Sequence, residues 1–238
     1  MNTFRSKIAT LSHQLVQLER DEFFGADDHH KWMPLFQKDN ASVMCPPYVG
    51  KSYKKGGLLL MPINPGGGTA TSEDEDDGDK LVYPLIHEFK SIKQDVYNFY
   101  WDKFIPAFEE AKPKWRIYKQ MKPILEASEC DLGNICYFNF LPYKVKNDKY
   151  PGTKKTDMDL IMPKCRDLFL RPLIALLSPS IIVNFGKQVD TYRSNYWQDL
   201  SIESVTWNRA RALIPEVKKE RKRALKLLRT WAKNQRCS

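Results

Sequence analysis

Four short apolar runs interrupt this chain, and each is cut off by a residue that cannot continue a strand: "LLLMPINPGGG" (58–68), "NICYFNFLPY" (134–143), "SIIVNFGK" (180–187) and "SVTW" (204–207). Unbroken apolar runs of this length suit strands covered on both faces, as in a parallel sheet. The stretches between them are long enough for helices. The spacing predicts a helix over 1–20, where Ile8, Leu11, Leu15 and Leu18 recur at three and four residues. It predicts a long aromatic-rich helix over 85–111, a second helical stretch over 113–128, one over 163–177 and a last one over 215–233. Pro215 fits the first turn of that last helix, and Ala224, Leu225, Leu228 and Trp231 mark its buried stripe. Strands alternating with helices predict an α/β fold with a mainly parallel sheet and right-handed crossovers.

The remaining segments read as connections. Residues 21–56 are irregular, with "CPPYVG" and "KKGG" as breakers, "TSEDEDDGD" (71–79) as a surface loop and "KVKNDKYPGTKK" (144–155) as a basic loop. Hydrophobic residues make up 42% of 238, enough for a sizeable core. No apolar run approaches the ~20 residues that span a bilayer. The amphipathic N-terminus lacks the continuous apolar segment of a signal peptide, so an intracellular, cytoplasmic location without membrane contact is expected. The five cysteines form no C-x-x-C pair, which fits scattered thiols in a reducing compartment. His29 and His30 by themselves do not make a metal site, so no metal is expected.

Charge is unevenly placed. Segment 72–79 holds six acids and no base. From Arg209 to Arg236 there are eleven Lys/Arg against two Glu, and the difference, 11 − 2 = +9, equals the net charge of the whole chain. A basic pole this dense suits a polyanion such as nucleic acid, although a solvated helix face has the same composition.

Ligands of open parallel sheets bind outside the carboxyl ends of the strands. The four loops there are "PINPGGG", "FNFLPYK", "NFGKQ" and "WNRAR"; all four carry Asn and three carry a base. Their order resembles the uracil-DNA glycosylase superfamily. "PINPGG" is similar to the first active-site motif of its mismatch-specific and single-strand-selective branches, with Pro62 where a glycine is usual. "NICYFNFLPYK" resembles the strand and loop whose Asn reads the flipped base, and "LFLRPLIALLSPSIIVNFGKQ" resembles the helix, strand and glycine turn that follow. The similarity spans roughly 57–231. It implies a three-layer α/β/α domain around a mainly parallel four-stranded sheet over 57–238, with 1–56 packed on it as a helix and an irregular segment in one compact unit. One motif departs: the family's last loop reads His-Pro-Ser, whereas Trp207, Asn208 and Arg209 stand here, followed by Arg211.

The resemblance also implies roles. Asn64 would position the attacking water; an amide oxygen orients water but is a poor base. The alternative for Asn64 is an Asx-type turn. Ile63, Pro65 and Gly66 would line the base pocket, with Gly67 and Gly68 letting backbone approach closely. Asn139 would read the base, since its amide offers a donor and an acceptor together; otherwise it ties down loop backbone. Tyr83 would stack on the flipped base, with Phe89 and Phe140 as competitors and core packing as the alternative for each. Lys187, Asn208, Arg209 and Arg211 would hold DNA. The expected activity is a monofunctional glycosylase that flips and excises a modified pyrimidine, without cofactor, as a monomer. The specific expectation is glucosylated hydroxymethylcytosine of phage DNA, in antiviral defence. Uracil or deaminated-base repair is the alternative substrate class. An inactive DNA-binding module of the same fold is the alternative to an enzyme. An unrelated nucleotide-binding α/β protein fits less well, because both Gly-x-Gly-x-x-Gly and a P-loop are missing.

Overall fold

A computed structural model of the chain describes residues 3–18, 44–63, 77–142, 162–198, 200–210 and 214–236. The chain divides into two compact units, one comprising Met1–Pro47, Asn64–Trp115 and Asn139–Leu176, the other Tyr48–Ile63, Arg116–Phe138 and Leu177–Ser238.

The second unit contains the whole sheet. Its strands are β1 (Tyr48–Val49), β2 (Leu58–Pro62), β3 (Ile135–Tyr137), β4 (Ile181–Phe185) and β5 (Glu203–Trp207), in the order β1-β3-β2-β4-β5. β3, β2, β4 and β5 run parallel; β1 adds a fifth, antiparallel strand at the edge, pairing Tyr48 with Tyr137 and Val49 with Cys136. The sequence pattern predicts four strands and leaves "CPPYVG" as a breaker. Two residues beside two prolines carry no periodicity, and tertiary pairing makes them a strand. The Tyr48 hydroxyl donates to the Leu132 carbonyl at 2.6 Å, and Gly50 N–H donates to Ile135 O at 2.9 Å. A Cβ at Gly50 would lie 2.3 Å from the Gly133 carbonyl oxygen, so this edge closes only with glycine there. Every residue of β2 and β4 is buried, as their continuous apolar character requires. β3 stops at Tyr137, six residues before the end of the apolar run, though Phe138 N–H still reaches Leu60 O at 3.3 Å.

Three helices accompany the sheet in this unit. The helices among the described residues are, in order, α1 (Thr3–Gln17), α2 (Asp77–Ser91), α3 (96–111), α4 (Arg116–Ser128), α5 (162–177), α6 (Lys187–Tyr196) and α7 (Pro215–Arg236). In the sheet unit α4 packs against α7, α6 packs on β4 and β5, and α7 packs on β5. α7 buries Val217, Ala224, Leu228, Trp231 and Ala232, while Leu225 is only half-buried. Near its end the Trp231 indole N–H donates to Ser180 Oγ at 2.8 Å, one residue before β4 begins. Its first turns bond the loop after β5. α7 therefore runs back along the sheet, from the carboxyl ends of the strands to their amino ends.

The other unit is helical. α2 begins at Asp77, where the acidic composition predicts a loop up to 79. Acids are favoured in a first helical turn by the backbone dipole, so the same residues serve as a helix start. The single helix expected over 85–111 is broken: α2 ends at Ser91, and Asp95 adopts a left-handed φ of 61° before α3 starts. The Asn98 amide donates to the Asp95 carboxylate at 2.6 Å, and Asp tolerates that backbone better than most residues. α3 contains a wide turn over Phe99–Phe104 that carries four aromatic side chains inward, Phe99, Tyr100, Trp101 and Phe104. Phe89, Phe99, Tyr100, Phe104 and Phe108 form a contiguous stack with centroids 5.4–6.3 Å apart. At its end Lys112 is fully buried, its ammonium 4.9 Å from the ring centres of Phe108 and Trp115. Burial holds the Lys112 amine well below the ordinary lysine range. α1 buries Ile8, Leu15 and Val16; Leu11, part of the expected stripe, is only half-buried.

Candidate functional site

The strand order fixes where a ligand crevice can open. From β2 the chain returns to the sheet on one side, at β3; β4 lies on the other side and is followed outward by β5. Such a divergence leaves a crevice outside the carboxyl ends of β2 and β4, the topological switch point. Here Pro62 pairs with Phe185. Ile63, 2% exposed, follows β2, and Gly186 follows β4.

The β4 end is built from "NFGK". Asn184 is fully buried, donates its amide to the Asp190 carboxylate at 3.1 Å, and its Oδ1 has no hydrogen-bond partner among the described residues. Gly186 has φ 109°, a conformation that side-chain-bearing residues rarely adopt. Its N–H donates to Trp207 O at 2.9 Å, tying the end of β4 to the end of β5. α6 then starts at Lys187.

The β5 end is locked from α7. Lys187 Nζ lies 2.8 Å from Glu220 Oε1, and the Asn208 amide donates to Glu220 Oε2 at 2.6 Å. Asn208 Oδ1 accepts the Ala210 N–H at 2.9 Å. Arg221 donates to the carbonyls of Asn208 (2.9 Å) and Ala210 (3.0 Å), and its guanidinium sits 5.0 Å over the Trp207 ring. The Lys187 ammonium, and then the Asn208 amide, hold the Glu220 carboxyl below the usual carboxylate range. Two of the residues expected to hold DNA are thus joined to each other through one carboxylate. Arg209 is exposed, its side chain passing over Gly186.

Asn139, the second residue after β3, is 4% exposed, and its Oδ1 has no hydrogen-bond partner among the described residues. Phe140 is fully buried and Tyr83, on α2, is 6% exposed. Phe89 stands inside the aromatic stack between His13 and Phe99, so its faces are committed to the core. Asn64, Pro65, Gly66, Gly67, Gly68, Arg211, His29 and His30 lie outside the described residues. Among the described residues no three His, Cys, Asp or Glu side chains gather to hold a metal ion, and no helix is long and apolar enough to cross a membrane.

The sequence reading overlooks Asn184, Glu220 and Arg221. Asn184 had a signal: one amide breaking a β-branched run, two residues before a strand-ending glycine, at the switch point. Glu220 and Arg221 had none, being one acid and one base among many on a basic helix. No protein-family model and no curated protein sequence matches the chain.

Proposed function

We propose that the chain is a monofunctional DNA glycosylase that excises a modified pyrimidine and leaves an abasic site. The fold behind the proposal is a three-layer α/β/α domain of the uracil-DNA glycosylase kind. The observation that carries it is the switch point: the Asn-Pro-Gly-Gly-Gly motif begins directly after Ile63, the residue that follows β2, where the chain paths from β2 and β4 diverge. Two buried amide oxygens, on Asn184 at the end of β4 and, in the other unit, on Asn139 after β3, each lack a protein partner among the described residues. A buried amide without a partner costs stability unless a ligand completes it.

The chemistry asks three things of the protein. The base must leave the stack, the departing base must be stabilised as negative charge grows on it, and water must be oriented toward the sugar. Asn64 orients the water. Asn139 reads the hydrogen-bonding edge of the base, and Tyr83 stacks on it. With no histidine in the last loop, charge on the leaving base is met by amide and backbone N–H donors. The run Gly66-Gly67-Gly68 in the first loop suits a bulky base, and glucosylated hydroxymethylcytosine of phage DNA is the substrate we favour, in antiviral defence.

The test is incubation with duplexes carrying different modified pyrimidines, followed by alkaline cleavage at abasic sites. Asn64→Ala should lower single-turnover base release at least about 100-fold while duplex affinity stays within about threefold, because a water-positioning amide acts in the transition state. Release at the unmodified rate would reduce Asn64 to a turn residue.

A further inference from the structure

The solvent face of α7 carries a charge arrangement that the packing of the helix does not call for. Lys218, Lys222 and Lys226 succeed one another at four-residue spacing, as do Lys219 and Arg223, and Arg229 and Lys233. At 3.6 residues per turn these seven fall within about 140° of arc, opposite the buried stripe of Val217, Ala224, Leu228 and Trp231. All seven are exposed, no acid interrupts them, and none forms an ion pair with another described residue. Like charges at this spacing repel and weaken a helix, and a helix needing only solubility would interleave acids. Glu216 and Glu220 stand outside the arc, and Glu220 is engaged with Lys187 and Asn208.

We propose that this face is a track for the phosphate backbone of nucleic acid, leading to the carboxyl edge of β4 and β5. It rests on the nucleic-acid part of the reading above. From Lys218 to Lys233 the track runs about 22 Å at 1.5 Å per residue. Duplex DNA presents a phosphate about every 1.7 Å of its axis, so several charges meet several phosphates at once. The direction follows from the lock at Glu220: the first turns of α7 are fixed to the loop after β5, beside the switch-point crevice, and the far end lies at the start of β4. Bound backbone is therefore delivered to the end of the sheet where a flipped base would enter. An anionic membrane is the weaker partner. A helix that lies in a bilayer surface needs a free apolar face, and that of α7 is spent on β5 and α4.

The experiment uses the full chain and two quadruple variants, with Lys222, Lys226, Arg229 and Lys233 all changed to Glu or all to Gln. The Gln set removes like-charge neighbours and should leave the helix intact; circular dichroism verifies the fold of both variants. Binding to short unmodified duplexes is measured across salt concentrations, beside binding to phosphatidylserine vesicles. The expected result is a loss of duplex affinity of about tenfold or more, equal for A·T-rich and G·C-rich sequences. The slope of log affinity against log salt should fall by about 0.9 per phosphate contact removed. Unchanged affinity and slope in folded variants overturn the track, as does variant-sensitive binding to vesicles without binding to duplex. Base release separates the two proposals. Track-dependent duplex binding by a chain that excises no modified pyrimidine keeps the track and removes the glycosylase. Excision with an unaltered salt slope does the reverse.

Discussion

Two asparagines follow two strands of this sheet, and the protein treats them oppositely. After β5, Asn208 has its amide on Glu220, its carbonyl oxygen on Ala210 N–H and its backbone oxygen on Arg221. After β3, Asn139 is buried as deeply, yet its Oδ1 has no hydrogen-bond partner among the described residues. The same side chain is a finished structural joint in one place and an open valence in the other. A buried amide whose bonds are all made is explained by the fold alone. One whose bonds are not made invites a ligand. The sequence motifs treat both as site residues; among the described residues their hydrogen bonding differs.

Putting leucine, of similar volume, at each position breaks or sharpens this contrast. The largest effect is expected for Asn139→Leu. It should lower single-turnover base release by about 100-fold or more and relax discrimination among bases, while unfolding free energy changes by less than about 1 kcal/mol, because its Oδ1 has no hydrogen bond to lose among the described residues. Substantial unfolding of this variant would show that Asn139 holds loop backbone instead. Asn208→Leu should behave the other way. It strips Glu220 and the Ala210 N–H of partners and should destabilise the protein by about 1–3 kcal/mol in denaturant titration, with activity per folded molecule retained. Gly186→Ala should follow, at about 1–2 kcal/mol, since a left-handed φ must be forced on a residue with a Cβ at the stitch between β4 and β5. Normal stability of this alanine variant would mean that the turn rearranges freely.

The smallest effect is a pH dependence. Glu220 is held below its unfolded pKa by Lys187 and Asn208, so the folded state binds fewer protons than the unfolded state as pH falls into the carboxylate range. Its contribution is fully present above the unfolded carboxylate pKa and is lost as pH falls through the folded one. The stability difference between the wild type and Glu220→Gln should therefore be flat from neutral pH down to the carboxylate range and narrow below it. A difference that grows on acidification would contradict the lock.

How far the sequence could be read depended on where each residue's fate is decided. β2 and β4 were legible because burial on both faces leaves a nearly unbroken apolar run as a local signature, LLLMP in β2 and IIVNF in β4. β1 was not, since Tyr48 and Val49 are strand only by pairing with a segment almost ninety positions away. The break at Asp95 was hidden because a left-handed residue leaves the flanking helical periodicity intact. The motif order marked the carboxyl ends of the strands as the place to look, and Asn139 with it. It could not distinguish Asn208, whose role depends on Glu220 and Arg221 from a helix that local pattern reads only as basic. Asn184 was visible as an anomaly in its strand, but only the strand order gives that anomaly a location.

Lys112 carries a consequence of a different kind. Its amine is buried beside Phe108 and Trp115, and burial holds it well below the ordinary lysine range, so access governs its reaction with acylating reagents. Most lysines of the chain stand in solvent and label at once. Lys112 labels only when the end of the aromatic stack parts, so the mass of one peptide becomes a clock for the breathing of the helical unit, read separately from any motion of the sheet.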